Sequence, residues 1–282
     1  MPGGCIKNLR LVALLAASGL TMHCTAASFT VPAPEPYQQV EFDYRRPAGA
    51  NAVTGVLLLV PGFNGSGQAM LNGRWAKFAD ECGLLLLAPT FHATGEDVHE
   101  RQGYYYPELW SGEVMEHALA EVARREKVNA DKILIFGFSA GAHFAHRFAL
   151  WKPERVKAFV AYSAAWWDPP SEKLRQVPAL IMCGERDERL AATREFFERG
   201  LKLDLPFIWR SYRGVGHQMA PAIQRMAEAF LRYHTLGMQA EPQAGDVQTY
   251  RFVPLAQSNA IPSAVRIILP SRAVAQVWAR EE

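Results

Sequence analysis

The chain has 282 residues, 49% of them hydrophobic, with 30 basic and 28 acidic side chains and a formal net charge of +2. That length and apolar content suit one large buried core and exclude disorder over the bulk of the chain. The near balance of scattered charges excludes the strong field that binding to nucleic acid or to an anionic membrane requires.

At the N-terminus, Lys7 and Arg10 precede an apolar run from Leu11 to Leu20, and small residues follow as far as Ala26 and Ala27. The run is shorter than the ~20 residues a membrane-spanning helix needs. The pattern predicts a signal peptide over residues 1–27, cut after Ala26 or Ala27, and hence a secreted or periplasmic protein without an integral membrane span. A buried N-terminal helix is the alternative. Lipid anchoring at Cys24 is a minor option, weakened because His23 occupies the position where a small residue is usual. Cys5 and Cys24 fall in this segment, which leaves Cys82 and Cys183. Those two lie at opposite ends of the sheet predicted below and are expected to remain unbridged.

Residues 28–36, proline-rich in VPAPEP, read as a linker. From Tyr37 to Arg46 the alternation of Val40, Phe42 and Tyr44 with polar neighbours predicts an exposed edge strand or a hairpin arm. Six apolar runs follow: GVLLLVPG (55–62), LLLLAPT (84–90), ILIFGFS (133–139), AFVAYSA (158–164), ALIMCGE (179–185) and FIWRSYRG (207–214). Helical periodicity separates them, as in residues 112–127, where Val114, Ala118 and Val122 mark one stripe. Strands that are apolar throughout belong to a sheet covered on both faces, so the fold class is α/β, a mostly parallel doubly wound sheet. The segment from Ala164 to Val177 is too short for an inserted cap domain. A catalytic domain is expected over residues 37–236. Residues 237–282 form a C-terminal extension of unknown role, with a linker through LGMQAEPQAGD, two strand-like runs and a last helix capped by Ser271.

In such sheets ligands gather at the carboxyl ends of the strands. Ser139, between Gly137 and Gly141, follows a buried strand and opens a helix; a tight strand-to-helix turn exposes a hydroxyl there and tolerates only small neighbours. Serine needs a base, and the base needs a carboxylate to orient it. In the order Ser, acid, His, Asp187 follows the fifth run and His217 the sixth, with Glu185 and Asp168 as alternative acids. His143 and His146 read as helix-surface or packing residues, and His92, His99, His117 and His234 lack a strand-end position. The backbone amide of Ala140 and that of Phe63, with Asn64 next in line, are the candidate oxyanion donors. The glycine-rich PGFNGSG lacks the lysine and hydroxyl of a phosphate loop, and no metal or cofactor is called for, since His143 and His146 lack the glutamate of an HExxH arrangement and no cysteine pair has ligand spacing.

Ser139, Asp187 and His217 on this alternating scaffold resemble the α/β-hydrolase superfamily. The GFSAG elbow and the lack of a lid resemble its dienelactone hydrolase-like and polyhydroxyalkanoate depolymerase or feruloyl esterase-like branches. Dienelactone hydrolases proper carry cysteine where this chain has Ser139, which argues against true dienelactone chemistry. Many lipases carry His-Gly where this chain has Pro61-Gly62.

Aromatic residues crowd the predicted rim: Phe63, Phe91, Tyr104, Tyr105, Tyr106, Trp110, Trp166 and Trp167. Of these, Tyr105, Trp110, Trp166 and Trp167, together with Asn64, are the candidate substrate contacts. They favour an apolar or aromatic acyl group, in a small-molecule or a polymer ester. The expected function is that of a secreted serine esterase. A peptidase or thioesterase on the same residues, and a non-catalytic exported binding protein of the same fold, are the competing readings.

Overall fold

The computed structural model describes residues 26–35, 37–49, 53–92 and 103–280. The predicted signal segment up to residue 25, with Cys5 and Cys24, lies outside them, as does His99. In chain order the first half comprises β1 (Ala26–Pro32), β2 (Gln39–Arg45), β3 (Gly55–Val60), α1 (Gly67–Met70), α2 (Gly73–Cys82), β4 (Leu84–Thr90), α3 (Gly112–Glu126), β5 (Ile133–Phe138) and α4 (Ala140–Trp151). The second half adds β6 (Val156–Tyr162), β7 (Ala179–Gly184), α5 (Leu190–Lys202), β8 (Phe207–Tyr212), α6 (Pro221–Leu236), β9 (Gln243–Asp246), β10 (Phe252–Pro254), β11 (Arg266–Leu269) and α7 (Arg272–Trp278).

Eight strands form one sheet in the order β1-β2-β4-β3-β5-β6-β7-β8. The six apolar runs of the sequence are its parallel members, β3 to β8, and every residue of β4, β7 and β8 is buried. Helices cover both faces; in α3 the buried residues form a stripe of Gly112, Val114, Met115, Ala118, Leu119 and Val122, whereas α4 is buried all round from Ala140 to Ala149. The chain runs from β3 outward to β4, then returns past β3 to β5. The loops leaving β3 and β5 therefore diverge at a topological switch point, the place where such sheets open a crevice.

Two boundary expectations are corrected. Residues 28–32 are not linker but part of β1, which pairs antiparallel with β2, so that β2 is a hairpin arm and β1 the edge strand. Phe29 stacks on Phe42 with ring centroids 5.7 Å apart, and Val31 is buried; Pro32 is tolerated because it ends an edge strand. Ala26 and Ala27 pair with Arg45 and Tyr44.

The second correction concerns the extension. The stretch read as a linker before residue 246 contains β9, the central strand of a three-stranded antiparallel sheet ordered β10-β9-β11. Nor is the extension an appendage. Trp278 is fully buried, its indole Nε1 donates to the Trp209 carbonyl at 2.7 Å, and the Ser211 amide donates to the Tyr250 hydroxyl at 3.0 Å. Trp209 and Ser211 belong to β8, the last strand of the large sheet, so these side chains satisfy backbone groups along an edge that would otherwise be open to other chains. Cys82 and Cys183 are both buried and free.

Candidate active site

Ser139 links β5 to α4 with φ 55° and ψ −117°, a conformation that L side chains rarely adopt. The flanking glycines explain how it is held. A Cβ on Gly137 would stand 2.1 Å from the Gly141 carbonyl oxygen, and one on Gly141 would stand 2.0 Å from the carbonyl oxygen of Val60 in β3. Larger residues would push helix and strand apart, so the glycines allow the close packing that fixes the turn. The Ser139 amide donates to the Tyr162 carbonyl at 2.9 Å, which anchors the turn to β6.

The loops after β7 and β8 bring the remaining groups to it. His217 Nε2 lies 2.9 Å from Ser139 Oγ, and His217 Nδ1 lies 2.7 Å from Asp187 Oδ2. With Asp187 accepting, the proton sits on Nδ1 and Nε2 is left to accept from the serine hydroxyl. The two loops are tied together: the Arg186 amide donates to the Val215 carbonyl at 2.8 Å, and a Cβ on Gly184 would fall 2.4 Å from that same oxygen. The Asp187 side chain is wholly buried. Burial pulls its pKa upward, but hydrogen bonds from His217, the Arg189 amide, Ser163 and the Arg189 guanidinium outweigh that and hold it below the ordinary carboxylate value. The carboxylate is thus charged where the imidazole needs it.

The alternative acids are occupied elsewhere. Asp168 pairs with Arg147 at 2.9 Å, and Glu185 accepts from the Ser211 hydroxyl at 2.9 Å. His143 and His146 are buried packing residues: His143 Nε2 accepts the Ala165 amide at 2.9 Å and His146 Nε2 accepts the Asp168 amide at 3.1 Å. Together they fasten the loop after β6 to α4.

Ala140 is the first residue of α4, a position whose amide has no acceptor within the helix. On the other side, Gly65 donates to the Gly62 carbonyl at 2.9 Å, closing a turn with Phe63 and Asn64 at its centre and Asn64 at φ 53°. A Cβ on Gly62 would meet Ser139 Cβ at 3.5 Å, so this turn lies directly against the serine.

The aromatic residues divide. Phe91 and Tyr104 stack on each other at 4.3 Å in the interior, and Tyr105, only 2% exposed, packs between Tyr104 and His143. Trp110 lies against Tyr37 at 4.4 Å. Trp167 stacks on Phe196 at 4.3 Å and donates to the Ala164 carbonyl. Tyr105 is therefore interior, which corrects its expected place at the rim, while Trp110 and Trp167 are half-buried against their ring partners. Trp166, 48% exposed, and Phe63, 41% exposed, do present their rings to solvent. Met219, two residues beyond His217 and also exposed, carried no recognisable sequence signal. Ser163, held at φ 59° behind Asp187, was likewise hidden inside an apolar run.

A parallel sheet with a serine elbow at its switch point, and an acid and a histidine on the loops after later strands, is the architecture of an α/β-hydrolase. The chain belongs to the Dienelactone hydrolase family, whose model matches residues 52–233. No curated protein shows a significant sequence match. Among solved structures it is similar to LpqC, a poly(3-hydroxybutyrate) depolymerase from Bordetella parapertussis, at TM-score 0.60 and 19% identity over 74% of this chain and 89% of that one. A ferulic acid esterase is similar at TM-score 0.60 and 18% identity, covering 75% of this chain and 97% of that one. An S-formylglutathione hydrolase from Agrobacterium tumefaciens is similar at TM-score 0.58 and 20% identity, covering 74% and 94%. At these identities the likeness establishes the fold.

Proposed function

We propose that the protein is an exported serine hydrolase that cleaves carboxylic esters through an acyl-enzyme on Ser139. The observation that carries this reading is the continuous hydrogen-bonded path from Asp187 Oδ2 through His217 to Ser139 Oγ, 2.7 and 2.9 Å long at its two steps. As Ser139 Oγ attacks the acyl carbon, its proton passes to His217 Nε2. The imidazolium so formed is stabilised by the buried Asp187 carboxylate. Negative charge on the former carbonyl oxygen falls between the amides of Ala140 and Phe63, near the positive end of the α4 dipole. His217 then returns the proton to the departing alkoxide, and a water activated by the same nitrogen releases the acid.

Substrate chemistry is supported by two exposed rings, Phe63 on the turn against the serine and Trp166 on the loop after β6, which suit an aromatic or apolar acyl chain. The names of similar folds, a poly(3-hydroxybutyrate) depolymerase and a ferulic acid esterase, point to the same class. Export is supported by the signal-like residues 1–27, and among the described residues no helix is long and apolar enough to cross a membrane. The test is a panel of aryl esters, hydroxyalkanoate oligomers, thioesters and anilides assayed with wild type and Ser139→Ala. Ester turnover that falls at least about 10³-fold in the variant supports the reading. Preferential cleavage of the anilides or thioesters, or equal turnover in the variant, overturns it.

A further inference from the structure

Tyr162, the last residue of β6, is fully buried and touches both sides of the site without reaching its surface. Its carbonyl accepts the Ser139 amide at 2.9 Å. Its hydroxyl reaches the opposite side, donating to the Gln218 carbonyl at 2.8 Å, with the Gly216 carbonyl at 3.4 Å. Those two carbonyls flank His217. Between the two anchor points lies a column of rings. Phe138 stacks on Tyr162 with centroids 5.2 Å apart and planes at 19°, and the His217 imidazole also stacks on Phe138 at 4.9 Å and 28°.

The arrangement forms a closed frame. The nucleophile is fixed to Tyr162 through the backbone. The base is fixed to it twice, through the Phe138 ring that spaces the imidazole and through the hydroxyl that holds the loop. The Arg186 to Val215 bond, by contrast, joins that loop to the acid loop. Gln218 is exposed, so its carbonyl would find water if the phenol hydroxyl were removed.

We propose that Tyr162 is a positioning residue that sets the separation of Ser139 Oγ and His217 Nε2, its hydroxyl clamping the histidine loop while its carbonyl holds the serine elbow. The inference rests on reading Ser139 as the nucleophile and His217 as its base. Burial raises the phenol pKa far above its ordinary value, so the hydroxyl remains a donor throughout the working pH range. Misplacement of a base by an ångström costs up to about 10²-fold in rate without a matching loss of substrate binding.

The experiment compares wild type, Tyr162→Phe and Tyr212→Phe in full-length protein. Tyr212, which ends β8 at the base of the histidine loop, is a second buried tyrosine, and its hydroxyl meets the Ala222 carbonyl of α6 at 3.4 Å rather than a carbonyl flanking His217. Active serines are titrated with a fluorophosphonate, and aryl ester kcat is expressed per titrated site, so that partial misfolding of a variant does not enter the rate. The expected result for Tyr162→Phe is a fall in kcat per site of about 10- to 100-fold with KM held within about twofold, while Tyr212→Phe stays at the wild-type value. Unchanged kcat per site in Tyr162→Phe, or an equal loss in both variants, overturns the proposal. Wild type that neither labels nor turns over ester overturns the underlying reading, and the proposal with it.

Discussion

Ser139 is held in a backbone conformation that few residues besides glycine tolerate, and the contacts that hold it there involve its neighbours more than itself. Gly137 and Gly141 let α4, β5 and β3 approach closely, and Tyr162 anchors the serine amide. Strain concentrated in one residue and stabilised by its surroundings is what a preorganised nucleophile requires. The same economy governs Asp187, whose buried carboxylate accepts from His217, Ser163, the Arg189 amide and the Arg189 side chain. Replacing it with asparagine leaves the shape but removes the charge and reverses the hydrogen-bonding preference toward His217. Asp187→Asn is expected to lower kcat by about 10³- to 10⁴-fold with the fold intact. Near-normal turnover of purified Asp187→Asn, measured with the same ester, would move the orienting role to another carboxylate.

At the scale of elements, the loop after β6 depends on two neutral histidines of α4. Burial, and then the Arg147 charge, hold the His146 pKa down to about 3, against the opposing effect of its bond to the Ala142 carbonyl; burial also drives His143 well below its ordinary value. Each accepts a loop amide through Nε2, which a protonated ring cannot do. In the unfolded chain both titrate near pH 6.5. Below that value the unfolded state binds protons that the folded state refuses, so stability is full above about pH 6.5 and declines as the pH falls toward the folded value. From pH 7 to pH 5, His146 alone should remove about 2 kcal/mol. Denaturant midpoints of wild type and His146→Gln across that range check this: a shallower decline in the variant is expected, and parallel lines would contradict it. The extension illustrates a different element-scale effect. Its Trp278 and Tyr250 cap the β8 edge, and Gly245 of β9 leaves room for them: a Cβ there would come within 2.9 Å of Leu269 and 3.0 Å of the Trp278 ring.

Across the whole molecule, the sheet brings every group of the site to one edge by topology alone: the loops of β3, β5, β7 and β8 all leave the carboxyl ends of parallel neighbours. That much was legible in the sequence, because unbroken apolar runs announce doubly covered strands, and Gly137, Ser139 and Gly141 announce a turn that tolerates nothing larger. The edges were not. β1 presents only Ala27, Phe29 and Val31 to the core and ends in a proline, and β9 reads QAGD, whose pairing is dictated by partners distant in sequence. The rim was half legible: Trp166 and Trp167 are adjacent and chemically identical, yet Trp166 is exposed while Trp167 is half-buried on Phe196. Tyr162 illustrates the same limit, for its hydroxyl acts on a loop more than 50 residues away.

The account stands on Ser139 being a nucleophile activated by His217. Its most direct test is intact mass and peptide mapping after exposure of the full-length protein to a fluorophosphonate, with Ser139→Ala alongside. The account predicts one adduct per chain, located on Ser139, and none on the variant. An unmodified wild type, or an equal adduct on Ser139→Ala, would contradict it.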